Sequence, residues 1–252
     1  MMKISLVTPI YNEEKNMITF LSLLNNLVLP MEKELIFVDD GSTDNSYKIL
    51  QEFKFTCPVK VLKNDVNKGK GASLRYGISM ASGDIIGIQD ADFEYDMNEI
   101  PRLLTPFLEG KADIVYGSRF TKGCYHVHRT FHYLVNRCLT TISNLLSGLY
   151  LTDMETCYKF FKSEIIKNIN LKSNRFGFEP EVTAKIAKLK VKVYEIPISY
   201  NARTYLDGKK ITWKDGVAAI GQILYYNLFS PKKKNFGPGM QSSYFPLDRN
   251  LL

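Results

Sequence analysis

Two aspartates separated by one residue, Asp90 and Asp92, are well suited to hold a divalent metal. They follow an apolar run at 84–88. Residues i and i+2 of a strand point the same way, so both carboxylates can converge on one cation. Oxygen ligands suit Mg²⁺ or Mn²⁺, which keep further coordination sites for phosphate oxygens. Taken alone, the pattern is also typical of a strand-end turn with solvated carboxylates.

A second acidic segment, Asp39-Asp40-Gly41-Ser42-Thr43-Asp44, follows the apolar run at 35–38. Acidic residues at strand ends hold a ribose or base in dinucleotide folds, which favours a nucleoside contact here. The alternative is an Asp-Gly turn in which Ser42, Thr43 or Asp44 caps the next helix. Two acidic motifs at strand ends together favour a nucleotide site more strongly than either motif does alone.

A glycine-rich basic loop, Asn67-Lys68-Gly69-Lys70-Gly71, leads into a helix predicted from about Ala72. Its backbone N–H groups and Lys70 favour a phosphate contact, although the spacing is not that of a P-loop. A loop that only begins the helix is the alternative. Further cations suited to phosphate, or else to a solvated surface, are Arg119, Arg203, Lys209 and Lys210.

The elements that must position these motifs alternate between strand and helix. Short runs rich in Ile and Val predict parallel strands buried on both faces at 4–10, 35–38, 59–62, 84–88 and 113–116. Amphipathic helices are predicted between them, as at 16–27 and 44–53. The chain is therefore predicted to be α/β, with a Rossmann-like, mostly parallel central sheet flanked by helices. Ligands of such sheets bind beyond the carboxyl ends of the strands, where the motifs lie.

The pattern changes after about residue 120. Helices are predicted over 125–150, 174–189 and 215–229, and a strand over 191–200, where Pro197 favours an edge or a terminus. The last helix is amphipathic and precedes Lys232, Lys233 and Lys234, so it either docks on an anionic bilayer or packs on the protein. Residues 1–230 are predicted to form one domain and 231–252 a flexible C-terminal tail.

Composition narrows the class of protein. Of 252 residues, 45% are hydrophobic, which is typical of a folded enzyme. A net charge of +7 favours an anionic partner: nucleic acid, a membrane face or phosphorylated substrates. Four scattered cysteines argue against a disulfide framework or zinc site and favour a reducing, cytoplasmic compartment. No signal peptide or run of ~18 apolar residues is present, so we expect no membrane-spanning segment.

Taken in order, the motifs resemble those of the family 2 glycosyltransferases of GT-A fold, within them the dolichol-phosphate mannose synthase-like group. The resemblance covers about residues 3–229. Besides the segments above, it rests on Thr8-Pro9-Ile10-Tyr11-Asn12-Glu13, Tyr116-Gly117-Ser118-Arg119-Phe120, Leu151-Thr152-Asp153-Met154-Glu155-Thr156-Cys157-Tyr158-Lys159 and Phe176-Gly177-Phe178-Glu179. The group implies an inverting, metal-dependent transfer of a sugar from GDP-mannose or a UDP-sugar to a polyprenyl or dolichyl phosphate.

The resemblance also implies roles for individual residues. It implies that the nucleoside and its base lie against Pro9, Tyr11, Glu13, Val38 and Asp40. It implies that Asp90-Ala91-Asp92 reaches the metal and diphosphate, and that Glu94 stands where mannose synthases often have Gln as a further metal ligand. Arg119 would face the acceptor phosphate or the donor diphosphate. Arg203 and Lys209, at the family's six-residue offset, would belong to a mobile loop over the donor.

The acceptor decides whether a base is needed. A phosphate monoester is already anionic near neutral pH, so catalysis would rest on positioning, the metal and the cations. A glycan or protein hydroxyl would need a carboxylate base, for which Asp153, and after it Glu155, is the candidate.

Two other classes of function are weighed against these. One is a nucleotide-sugar-binding protein without turnover; the other, a nucleic-acid-binding module, is disfavoured because the cations are dispersed and no binding motif is recognised. Many lipid-linked relatives carry spanning helices that this chain lacks. We therefore expect a peripheral enzyme at the cytoplasmic face of a membrane, bound through 125–150, 215–234 or a membrane partner protein.

Overall fold

A mixed sheet forms the centre of the protein. The computed structural model describes residues 2–121, 130–201 and 213–245. Within them one sheet has the strand order β3-β2-β1-β4-β6-β5-β7. The strands are β1 Lys3–Ile10, β2 Glu32–Asp39, β3 Val59–Lys63, β4 Ile85–Ile88, β5 Ile114–Ser118, β6 Lys159–Lys162 and β7 Val193–Pro197. Pro197 is the last residue of the edge strand β7, as its missing N–H favours.

Strand β6 is the exception to parallel pairing. It runs antiparallel to both β4 and β5, whereas the other neighbours pair in parallel. The mostly parallel sheet is thereby confirmed, but β6 itself was not predicted. It has only four residues, Lys-Phe-Phe-Lys, too few for a recognisable period.

Helices cover both faces of the sheet. Their bounds are α1 Glu14–Asn26, α2 Ser46–Glu52, α3 Lys70–Met80, α4 Ile100–Leu108, α5 Thr130–Ser147, α6 Ser163–Ile166, α7 Phe178–Ile186, α8 Trp213–Leu224 and α9 Lys232–Asn235. Helix α8 continues as a π-helical turn, Tyr225–Phe229. Alternate residues of β1 enter opposite layers of core: Leu6 packs with α1 and α4, and Val7 packs with α3.

The topology gathers the motifs at one edge of the sheet. The parallel strands β1, β2, β4 and β5 all end there. Because β6 runs the opposite way, the residues just before it, 153–158, lie at that same edge. The loops after four strands and the segment before a fifth therefore face one another.

The described part of the predicted tail packs against the body. Asn170 N donates to Asn235 O over 2.9 Å, and Ile169 forms an antiparallel bridge with Phe236. Met240 is buried. Residues 246–252 lie outside the described residues, and the domain boundary at 230 stays a prediction. No helix in the described ranges is long and apolar enough to cross a bilayer.

Candidate active site

The loops that follow β1 and β2 are fastened to each other. Thr43 N donates to Asn12 Oδ1 over 2.8 Å, and Asn12 N donates to Ser42 Oγ over 3.0 Å. Asn12 adopts a left-handed conformation, with φ 54°, which Asn tolerates better than most residues. These bonds hold in place three partly exposed residues that were predicted to contact the nucleotide: Pro9, Tyr11 and Glu13.

Val38, also predicted to contact the nucleoside, does not reach the surface. It pairs with Pro9 across β1 and β2 but has no exposed area and lies in the core beneath α3. Its burial follows from its place within β2, one residue before the strand ends. In this arrangement the Val38 side chain packs beneath the site, and its predicted contact with the nucleoside stays a prediction that its burial does not support.

Asp40 anchors the loop before α3. Its Oδ1 accepts from Asn64 Nδ2 over 2.8 Å and from Lys68 N over 3.0 Å, and its Oδ2 accepts from Gly69 N over 2.7 Å. The residue is almost wholly buried. Most of its acceptor capacity is therefore used within the protein.

The neighbouring Asp39 has acceptor capacity to spare. One carboxylate oxygen accepts from Ser42 N over 3.2 Å. The other, Oδ1, is buried and has no hydrogen-bond partner in the part of the chain that the structure describes. Buried carboxylate oxygens are normally satisfied, so Asp39 Oδ1 is an exception, but Asp39 has no exposed area and the structure offers a ligand no direct access to it. The family resemblance implied a role for Asp40, and nothing in the local pattern separates the two aspartates.

The glycine-rich loop does not present its N–H groups to a phosphate. Gly71 N donates to Arg175 O over 3.2 Å and Ala72 N to Asn174 O over 3.1 Å. A Cβ on Gly71 would lie 2.3 Å from Ser173 O. The glycines thus allow residues 173–175 to pack on the start of α3, and the predicted contact of these N–H groups with phosphate is not supported.

Lys70 instead lies within a buried charged cluster. Its Nζ is 2.9 Å from Asp90 Oδ2, 2.9 Å from Cys157 Sγ and 3.3 Å from Glu179 Oε1. Burial alone would lower the pKa of this ammonium, but its three neighbours outweigh burial and hold the pKa well above the ordinary value. Lys70 is therefore a permanent cation beside Asp90.

Cys157 contributes a neutral thiol to that cluster. Burial, and then the charge of Asp90, raise the pKa of Cys157 well above its ordinary value. Its backbone N donates to the Tyr95 hydroxyl over 3.1 Å. Cys157 and Glu179 stood in the matching motifs without an assigned role, and the fold brings both to Lys70.

The three predicted metal ligands do not converge. Tyr200 Oη donates to Glu94 Oε2 over 2.9 Å, while Glu94 N donates to Asp92 Oδ1 over 3.2 Å. Across the described ranges, no group of three or more acidic, His or Cys side chains is arranged to hold a metal. Asp90 and Asp92 still offer the oxygen donors that Mg²⁺ or Mn²⁺ prefers when phosphate supplies the other ligands. The pair fits such a metal; the set of three that includes Glu94 does not.

Arg119 and Asp153 form a buried, bidentate ion pair. Arg119 Nε donates to Asp153 Oδ2 over 2.7 Å, and Nη2 donates to Oδ1 over 2.8 Å. The backbone N of Arg119 donates to Oδ2 as well, over 3.0 Å. The guanidinium also lies over the ring of Tyr200, 5.0 Å from its centroid. Asp153 is fully buried, so both its oxygens are committed to Arg119.

Glu155 and Lys159 are two further buried ionisable residues near the Arg119–Asp153 pair. Burial, and then the charge of Glu179, raise the pKa of Glu155 to about 8. Burial lowers the pKa of Lys159 to about 8, and its Nζ donates to the carbonyl oxygens of Met154 and Thr156. Glu155 Oε1 is buried without a hydrogen-bond partner among the described residues. Lys159 thus holds the turn that carries Asp153 and Glu155.

The candidate site has two sides, one near β4 and one at the end of β5. Lys70 and Asp90 lie on the side of β4, and Arg119 lies at the end of β5. Tyr200 connects them, because its hydroxyl binds Glu94 and its ring covers Arg119. Arg203 and Lys209, predicted to cover the donor, lie outside the described residues.

Comparison with known proteins agrees with this architecture. The family model for glycosyl transferase family 2 matches residues 5–169. The chain is 28% identical over 211 residues to a dolichol-phosphate mannosyltransferase of Pyrococcus furiosus, covering 82% of this chain and 59% of that protein. It is 30% identical over 214 residues to a UDP-N-acetylglucosamine–dolichyl-phosphate N-acetylglucosaminyltransferase of Methanococcus voltae, covering 77% of this chain and 84% of that one.

Solved structures show the same fold. The chain is similar to glucosyl-3-phosphoglycerate synthase from Mycobacterium tuberculosis in complex with Mn²⁺, UDP and glucosyl-3-phosphoglycerate, with a TM-score of 0.68 and 20% identity. The similarity covers 90% of this chain and 80% of that one. The GT-A fold predicted from the sequence is confirmed.

Proposed function

Because the chain belongs to glycosyl transferase family 2, we propose that it moves a sugar from a nucleotide sugar to a polyprenyl phosphate. The names of the Pyrococcus and Methanococcus relatives include dolichol phosphate and dolichyl phosphate, respectively. The chain spans 59% of the length of the Pyrococcus protein, so the proposal concerns the part that the two share.

One observation carries the choice of acceptor: Asp153 is bound by Arg119 through both oxygens. Both oxygens of this fully buried carboxylate accept from the Arg119 guanidinium, so neither is placed to meet an acceptor hydroxyl. Burial, and then the charge of Glu179, raise the pKa of Glu155, the other candidate base, which favours its protonated form. A phosphate monoester needs neither, since it is already an anion. Asp153 is then a positioning residue that holds Arg119 ready for an acceptor phosphate or donor diphosphate.

The donor would lie over the loops after β1, β2 and β4. Pro9, Tyr11 and Glu13 offer a partly exposed wall for the nucleoside. Asp40 supports this wall from behind through its bonds to Lys68 and Gly69. The site favours no particular base or sugar.

Asp90 and Asp92 would hold Mg²⁺ or Mn²⁺. Ala91 between them is buried in the core with residues of α1 and α4, so its predicted contact with the diphosphate is not supported. The metal would neutralise charge on the departing nucleoside diphosphate. Lys70 supports Asp90 with a fixed positive charge and orients its carboxylate. Glu94 is bound to Tyr200 and is left out of the ligand set unless that bond breaks.

The transfer itself is a single displacement. An oxygen of the acceptor phosphate forms a bond to C1 of the sugar as the bond from C1 to the diphosphate oxygen breaks, which inverts the configuration at C1. The protein's part is to align the two anions, with Arg119 on the side of β5, and to keep water out. Since a polyprenyl phosphate lies in a bilayer, the enzyme would work at a membrane surface, for which we propose the cytoplasmic face.

The experiment uses the full chain, Mg²⁺ or Mn²⁺, labelled GDP-mannose or UDP-sugars, and dolichyl or undecaprenyl phosphate. We expect label in an organic-extractable lipid, reduced about 10²-fold in Asp92→Asn and unchanged in the exposed control Asp65→Asn. Normal activity of Asp92→Asn would refute the metal assignment. Label only in a water-soluble product, lost in Glu155→Gln, would favour a hydroxyl acceptor with Glu155 as its base.

A further inference from the structure

The outer side of α8 and of its π-helical continuation is apolar and exposed. The exposed side chains are Val217, Ile220, Leu224, Tyr225, Leu228 and Phe229. Most are spaced three or four residues apart, which places them along one side of the helix. We call these six residues the α8 face.

The inner side of the same helix is apolar too. Ala219, Ile223 and Tyr226 are buried against the protein. Ser173 Oγ donates to Gln222 Oε1 over 2.9 Å, which fastens this side to the loop that packs on the start of α3. A helix that is apolar all round is typical of one covered on both sides. The α8 face therefore points away from its own protein, towards a second apolar medium or surface.

Charge indicates which surface that is. Asp215, near the start of α8, is the one acidic residue of that helix; residues 216–245 contain no Asp or Glu, and neither does α5, which packs beside α8. Three successive lysines, Lys232, Lys233 and Lys234, follow the helix, and Lys234 is exposed. A second copy of the chain, docked through the same face, would bring two such lysine runs together. An anionic surface is favoured instead.

We propose that the α8 face docks on an anionic lipid bilayer. Its aliphatic and aromatic side chains enter the boundary between headgroups and acyl chains, and the exposed Lys234 contacts lipid phosphates. The inference rests on the proposed function in one respect: docking would bring the enzyme to its proposed acceptor, which lies in the membrane. The docking itself is a binding property that can be measured without any sugar transfer.

The test is sedimentation of the full chain with vesicles of phosphatidylcholine containing 30% phosphatidylglycerol, chosen as a typical ~0.3 anionic fraction. We expect binding that weakens strongly in pure phosphatidylcholine. Leu228→Gln with Phe229→Gln should lower the partition coefficient about tenfold or more. The matched control, Ile18→Gln with Leu23→Gln, removes two exposed apolar residues of α1 and should bind as the wild type does.

Replacement of Lys232, Lys233 and Lys234 by Gln should lower binding about fivefold per lysine, and high salt should have the same effect. The proposal is overturned if the wild type does not sediment with anionic vesicles, or if the Leu228/Phe229 variant binds normally. It is also overturned if that variant converts a dimer to a monomer in analytical ultracentrifugation, since the α8 face would then join two copies.

Failure of the proposed function is distinguishable. A short-chain polyprenyl phosphate in detergent requires no docking, so the Leu228/Phe229 variant should use it as well as the wild type does. Vesicle binding without transfer to any polyprenyl phosphate would refute the proposed function and leave the docking surface in place.

Discussion

The ammonium of Lys70 lies 2.9 Å from Oδ2 of Asp90, so the first aspartate of the Asp90-Ala91-Asp92 segment already has a cation that the protein supplies. The pair is mostly buried, and Glu179 approaches the same ammonium to 3.3 Å. One positive charge therefore serves two carboxylates at the place where a third negative group, the diphosphate, is proposed to bind.

Removal of that charge should destabilise the protein. Lys70→Met leaves Asp90 and Glu179 without their cation, and breaking a buried pair on one side costs about 3–5 kcal/mol. We expect a loss of that size in the free energy of unfolding, measured by urea denaturation. The control Lys68→Met changes an exposed side chain and should stay within about 0.5 kcal/mol of the wild type. Equal stability of the two variants would contradict this account.

The geometry of Arg119, and not only its charge, should matter. Lysine keeps the positive charge but cannot form the bidentate pair of hydrogen bonds that Arg119 donates to the two oxygens of Asp153. We expect Arg119→Lys to lower the free energy of unfolding by about 2 kcal/mol and to raise the KM for the acceptor. For comparison, Glu52→Gln breaks the exposed Lys48–Glu52 pair and should cost less than about 1 kcal/mol. If Arg119→Lys were as mild as Glu52→Gln, the pair would not be rigid.

Glu155 should make stability fall as pH rises. Its pKa is raised from 4.5 to about 8 in the folded protein. Between these values the folded state binds more protons than the unfolded state, so unfolding becomes easier with increasing pH. The slope is at most about 1.4 kcal/mol per pH unit for one group. Urea denaturation at pH 5.5 and 7.5 should show this loss in the wild type and a smaller one in Glu155→Gln. Identical pH dependence in both would exclude the shift.

Two glycines in helices should respond to alanine in opposite directions. A Cβ on Gly71 would lie 2.3 Å from the backbone oxygen of Ser173, so Gly71→Ala should push residues 173–175 away and lower the melting temperature. A Cβ on Gly221 in α8 meets nothing within 4 Å, so Gly221→Ala should stabilise by about 0.5–1 kcal/mol through helix propensity. Calorimetry of the two variants checks both signs. A stabilised Gly71→Ala protein would show that the 173–175 packing is loose.

Much of the fold followed from short-range patterns. The Ile- and Val-rich runs at 4–10 and 59–62 became β1 and β3 within one residue at either end, because a buried parallel strand needs apolar residues on both faces. The edge on which Asp90 and Arg119 lie followed from the common direction of parallel strands. Strand β6 carries the reversed direction that brings 153–158 to the same edge, and no local signal marked it.

The sequence by itself determined which chemical groups stand at the carboxyl edge of the sheet: carboxylates at 39, 40, 90 and 92, and the cations Lys70 and Arg119. Only the tertiary structure decided how they pair. Lys70 meets Cys157, 87 residues away, and Arg119 meets Asp153, 34 residues away. Periodicity and motif spacing describe neighbours within a few residues of one another. Such pairs form only when separate elements return to one edge, so packing decides which carboxylates are committed and which remain for a ligand.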